Sequence, residues 1–100
     1  MDALGRAEGF EWDSGNERKS LDGHAVSQAE AEQVFINEPL LLMGDERHSR
    51  SEARHHALGS TNDGRLLQVT FTLRAGGRLV RVISARPMSR RERRIYEQAT

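Results

Sequence analysis

Between residues 67 and 74 apolar and polar positions alternate without a break: Leu67, Val69, Phe71 and Leu73 against Gln68, Thr70, Thr72 and Arg74. A period of two predicts a long strand with one buried and one wet face. Ala75-Gly76-Gly77 then turns the chain, and the more apolar residues 79 to 85 return beside it as a central strand. Upstream, residues 40 to 43 are a short apolar run followed by the polar loop GDERHSRSE. Residues 53 to 59 predict a further strand, closed by the turn chemistry of Thr61-Asn62-Asp63-Gly64.

The front half has a different period. Phe10-Glu11-Trp12 alternates like a short half-buried strand, and Asp13 can cap a helix over residues 14 to 21, ended by Asp22-Gly23. Ser27 and Glu30 have the spacing of a capping box, and Ala31, Val34 and Phe35 behind them recur at helical spacing up to Asn37. Pro39 marks the stop. Ser89 and Glu92 repeat the capping-box spacing after Pro87 and open a last short helix. The order strand, two helices, four antiparallel strands and one helix predicts an α+β fold. In it, a curved antiparallel sheet carries helices on one face and leaves the other partly open.

Composition sets the scale of that fold. One hundred residues with 36% hydrophobic and 5% aromatic content support one domain whose core is mostly Leu, Val, Ile and Ala. Residues 1 to 8 read as a flexible end and 9 to 100 as the domain. No apolar stretch reaches the roughly 18 residues of a membrane span, and MDALGRAEGF lacks the layout of a signal peptide. The absence of cysteine excludes disulfides and thiolate metal sites and fits a reducing cytoplasm.

The formal net charge of zero conceals a split. Residues 1 to 45 hold 3 basic and 10 acidic residues, whereas residues 46 to 100 hold 12 basic and 5 acidic. Those twelve are all arginine, whose planar fork suits bidentate phosphate contacts. Such asymmetry points either to nucleic acid or to two halves that pair their charges across one surface.

Four histidines invite a metal reading that the spacing does not support. His55 and His56 are adjacent on a predicted strand and face opposite ways. Asp45, His48 and Glu52 have no compact ligand spacing. No nucleophile elbow, phosphate-cradling glycine loop or dinucleotide fingerprint is present. An Arg, His and Tyr surface remains. Arg74 and Arg81 lie on paired strands, Arg86 closes the second, and Tyr96 sits on the helix that follows. Converging arginines can bind a phosphate and stabilise a pentacoordinate transition state, with a histidine moving the proton. The alternative use of such arginines is to hold carboxylates, here Glu92 or the acidic front half. Arg90, Arg91, Arg93 and Arg94 cover most of a short helix, the pattern of a solvated or docking strip, with no interleaved aromatics for base stacking.

A resemblance sharpens these options. FEWD (10–13), HAVS (24–27), VF (34–35), DERHSRSEAR (45–54), GRLLQVTFT (64–72) and RVISARPMSRRERRIYE (81–97) occur in the order found in BrnT-type toxins of bacterial toxin–antitoxin pairs. Residues 10 to 97 thus resemble that family of small ribonucleases. The resemblance implies a RelE-like fold, cleavage of transcripts, and a cognate antitoxin with a ribbon-helix-helix DNA-binding region that represses the shared operon. His24, Arg54, Arg74, Arg86 and Tyr96 fall on family-motif positions. Family members carry lysines in the first helical region where this chain has Asn16 and Gly23, and Lys19 is out of register.

The expectation is therefore a cytoplasmic, cofactor-free and metal-independent endoribonuclease toxin. Arg74 and Arg86 hold the phosphate, His24 acts as general base or acid, Tyr96 positions, and Arg54 and Arg81 contact the RNA. The alternative is a weakened homologue that binds its antitoxin as a co-repressor module, as the missing lysines would imply.

Overall fold

A computed structural model describes residues 7–45 and 53–100. His48, Glu52 and most of the DERHSRSEAR motif lie outside the described residues, as do residues 1–6. The chain runs β1 (Gly9–Glu11), α1 (Ser14–His24), α2 (Gln28–Ile36), β2 (Leu41–Asp45), β3 (Arg54–Ser60), β4 (Leu66–Arg74), β5 (Leu79–Pro87) and α3 (Arg90–Ala99). Elements and order match the sequence pattern.

Both capping boxes form. In α2 the Glu30 amide donates to Ser27 Oγ at 3.1 Å, and the Ser27 amide donates back to Glu30 Oε1 at 3.2 Å. In α3 the Glu92 amide donates to Ser89 Oγ at 3.2 Å and the Ser89 amide to Glu92 Oε1 at 2.8 Å. Helix α1 overruns the predicted Gly23 stop. It ends at His24, and the left-handed residue is Ala25 (φ 53°), whose amide donates to Leu21 O at 2.9 Å. The single left-handed step costs an alanine roughly 1–2 kcal/mol, which the burial of the following Val26 offsets.

Five strands form one sheet in the order β1-β5-β4-β3-β2. The pairs β2–β3, β3–β4 and β4–β5 are antiparallel. The remaining pair is not: β1 pairs parallel to β5, from Gly9 against Leu79 to Glu11 against Arg81. The sheet is therefore mixed rather than purely antiparallel. With α1 and α2 between them, β1 and β5 have the long connection that a parallel pair needs. A register shift after Thr70 pairs Phe71 with Val82, so that Ile83 is an extra residue on β5.

One sheet face carries Ala57, Leu67, Val69, Phe71, Val80, Val82 and Ala85, packed with Val26 and with Ala31 and Val34 of α2. Phe35 joins this core, edge-on to Phe71 at 5.0 Å and tilted to Phe10 at 5.5 Å. Helix α1 lies along β5, where Ser20 Oγ accepts the Ala85 amide at 3.0 Å and satisfies a strand edge that β1 is too short to cover. Contrary to the one-face expectation, α3 packs on the opposite sheet face. Its Ile95 and Tyr96 meet Leu58, Met88, Leu41, Met43 and Leu66 in a second, smaller apolar cluster.

The approach of α2 depends on Gly59. A Cβ there would stand 2.9 Å from Val34 Cγ1 and 3.2 Å from Val34 O, and the second is backbone. Gly59→Ala is expected to lower stability by about 1–3 kcal/mol in urea titrations. An unchanged midpoint would show that α2 retreats at no cost.

Candidate active site

Side chains paired across a sheet share a face, so the register aligns them in rows. On the face away from α2, one row reads Arg54, Thr72, Arg81 and Glu11 across β3, β4, β5 and β1. The next reads His56, Thr70 and Ser84, and the third Leu58, Gln68 and Arg86. Arg74 lies on the same face of β4, beyond the first row. The alternation that buries Leu67, Val69 and Phe71 on one side thus assembles a polar lattice on the other.

The centre of this lattice is ordered by hydrogen bonds. Gln68, Thr70 and Thr72 are buried. His56 Nδ1 lies 2.9 Å from Thr70 Oγ1 and accepts from Gln68 Nε2. An acceptor Nδ1, assigned from this network, puts the proton of the neutral ring on Nε2, and only a ring carrying a second proton can act as an acid through that atom. Thr72 Oγ1 donates to Ala53 O at 2.9 Å and fixes the start of β3 beside Arg54.

The arginines divide by their partners. Arg81 donates to Glu11 Oε1 at 2.6 Å and to Asp13 Oδ2 at 2.9 Å, tying β1 and the entry of α1 to β5. Arg86 grips Glu92 with both terminal nitrogens at 2.8 Å, and one of them also reaches Pro87 O at 3.1 Å. The carboxylate-holding use foreseen for strand-end arginines is what these two do. Arg54 and Arg74 stand on either side of buried Thr72, one across the ladder and one further along the strand.

Hydrogen bonds from Arg86 hold the Glu92 carboxyl below the ordinary carboxylate range, against a partial burial that pushes it up. A depressed folded-state value contributes stability above the unfolded value of about 4.3 and loses it as pH falls through the folded value. Thermal melting from about pH 6 down to about pH 3 should show an acid limb that Glu92→Gln flattens. An identical limb in the variant would assign acid loss to other carboxylates.

The remaining expected residues are not members of the three rows. Tyr96 is buried beneath α3, where its hydroxyl donates to Pro39 O at 2.6 Å. Burial pushes its phenol above the ordinary value, with Ser60 pulling the other way. His24 is exposed in the last turn of α1, an element that packs along β5. Gly23 beside it has open space where a Cβ would be. The residue that sequence reading passed over is His56, weighed only as a metal ligand. Its signal was parity: two residues from Arg54 on a strand, it had to share that arginine's face. His55 turns the other way, its ring 5.3 Å from Phe71. Among the described residues no three His, Asp or Glu side chains gather to hold a metal ion, and no helix is long and apolar enough to cross a membrane.

The family model of BrnT, the ribonuclease toxin of type II toxin–antitoxin systems, matches residues 12–92. The chain belongs to the BrnT family. Among solved structures, the crystal structure of the Brucella abortus ribonuclease toxin BrnT matches with a TM-score of 0.63 at 20% identity. The match covers 84% of this chain and all of that one, and it concerns the fold. No curated protein sequence matches significantly. As a BrnT-family toxin of a type II system, the chain has a cognate antitoxin as its partner.

Proposed function

We propose that this BrnT-family toxin is a cytoplasmic endoribonuclease that cuts RNA without a metal ion, at the polar sheet face. The observation that carries this reading is the row register that sets His56 one step from Arg54 around buried Thr70 and Thr72. The 2′-hydroxyl oxygen attacks the adjacent phosphorus, and its proton passes to solvent. Arg54 binds the phosphate and meets the charge that grows on its oxygens, with Arg74 contacting the neighbouring phosphate. The P–O5′ bond breaks and His56, as the imidazolium, gives its Nε2 proton to the departing oxygen, which leaves a neutral ring with its remaining proton on Nδ1 beside Thr70 Oγ1. The products are a 2′,3′-cyclic phosphate and a 5′-hydroxyl end.

Arg81 and Arg86 are positioning residues in this scheme. Each holds a carboxylate and, through it, a neighbouring element at the rim of the face. Tyr96 secures α3, and His24 lies outside the reacting group. The antitoxin, with a ribbon-helix-helix DNA-binding region, would cover this face and silence the enzyme. Purified antitoxin-free protein incubated with single-stranded RNA and excess chelator should yield cyclic-phosphate ends. Intact RNA, or cleavage that the chelator abolishes, would sink the proposal.

A further inference from the structure

Helix α3 contributes more positive charge than its packing requires. Its buried side is Glu92, Ile95 and Tyr96, and Arg90, Arg91, Arg93 and Arg94 are all exposed. At 100° per residue, Arg90 and Arg94 point directly away from the packed side, with Arg91 and Arg93 flanking it. Glu92 is committed to Arg86, which leaves Glu97 as the helix's other carboxylate. No ion pair engages any of the four arginines among the described residues.

This placement is electrostatically adverse. Arg90 and Arg91 occupy the first turn, where the helix dipole already presents its positive end. Arg90–Arg94, Arg90–Arg93 and Arg91–Arg94 are like-charge neighbours at helical spacing. The acid of that turn, Glu92, is already held by Arg86. The ridge also has an address. Its helix packs on the sheet face that bears His56. It starts beside Arg86, the cross-strand neighbour of Gln68, and Gln68 donates to the His56 ring.

We infer that the exposed arginines of α3 form a phosphate-binding ridge that holds the RNA strand beyond the scissile nucleotide. The inference rests on the sheet face being the cleavage site. The ridge reads charge rather than sequence, because it offers guanidinium groups without aromatic stacking partners. It therefore governs how tightly long RNA binds and not how fast a bound phosphodiester reacts.

The test is binding of a 2′-O-methyl RNA 12-mer, which cannot be cleaved, across a salt series, with the Arg90→Gln/Arg94→Gln double variant against wild type. Both positions are exposed, and a matched melting temperature checks the fold. Losing two phosphate contacts on a single strand should flatten the slope of log affinity against log salt by about 1.4 and weaken low-salt binding about tenfold. Cleavage of a trinucleotide should stay unchanged. Equal affinity and slope in the two proteins would overturn the ridge. Intact RNA binding with weakened capture of the cognate antitoxin would overturn it in favour of a protein-docking strip. A wild-type protein that cuts no RNA, yet shows the Arg90/Arg94-dependent slope, would retain the ridge and remove the cleavage reading.

Discussion

His56→Ala is expected to slow RNA cleavage by about 10²- to 10⁴-fold, the range of a lost general acid. The loss should fall on kcat, because the arginines proposed to hold phosphate are untouched. The variant leaves Gln68 Nε2 and Thr70 Oγ1 short of a partner. A removed hydrogen bond of this kind costs about 1–3 kcal/mol, so stability must be measured beside activity. Gln68→Ala is the informative companion: it removes the donor that fixes the ring tautomer but leaves the imidazole in place. Its cleavage should fall less than that of His56→Ala, with a displaced pH–rate profile. His24→Ala, on the exposed end of α1, should stay within about twofold of wild type, since a group outside the reacting site supplies none of that factor. A His24 loss as large as the His56 loss would move the proton-transfer role to α1.

The second large effect concerns the fold. Phe71→Ala should lower stability by about 3–5 kcal/mol, measured by chemical denaturation at neutral pH. Phe71 is fully buried, stands edge-on to Phe35 and beside the His55 ring, and pairs with Val82 next to the extra residue of β5. Its removal opens a cavity between α2 and the sheet that neither side can close, because Gly59 already brings Val34 to the limit of approach. A domain of this size has about 5–15 kcal/mol in total, so the variant would hover near unfolding. Phe71→Leu, which keeps most of the volume, should lose less than half as much. A Phe71→Ala loss below about 1 kcal/mol would mean that the core collapses around the gap.

Local signals in the sequence were sufficient for local structure. Ser27 with Glu30 and Ser89 with Glu92 specify helix starts through contacts three residues apart, and both boxes form. The alternation in β4 specifies a two-faced strand because side-chain parity needs no partner. What the sequence left open depends on distant contacts. Nothing within Gly9–Glu11 declares that it will lie parallel to Leu79–Arg81. Nothing within α3 declares which sheet face receives Ile95 and Tyr96. The candidate site is divided in the same way. Arg54 and Arg74 share its face by parity, whereas the roles of Arg81 and Arg86 are set by carboxylates that the fold brings to them. His24 and Tyr96 are candidates by residue type, whereas the place of His56 follows from the register that sets it against Thr70.

Arg81 and Arg86 are five positions apart, an odd interval, and a regular strand would display them on opposite sides. Ile83 changes that count. By adding one unpaired position after Val82, it reverses the strand's alternation midway, and Ser84 and Arg86 rejoin Arg81 among the polar rows while Ala85 turns to the core. The adjacent apolar pair Val82-Ile83 is the written trace of this reversal. If Ile83 took a regular place in the ladder instead of bulging, the end of β5 would turn over. Ala85 would face water, the Arg86 guanidinium would face the apolar interior, and the start of α3 would lose its anchor. The two rim arginines, and the helix that one of them holds, therefore depend on a residue whose side chain takes no part in any reaction.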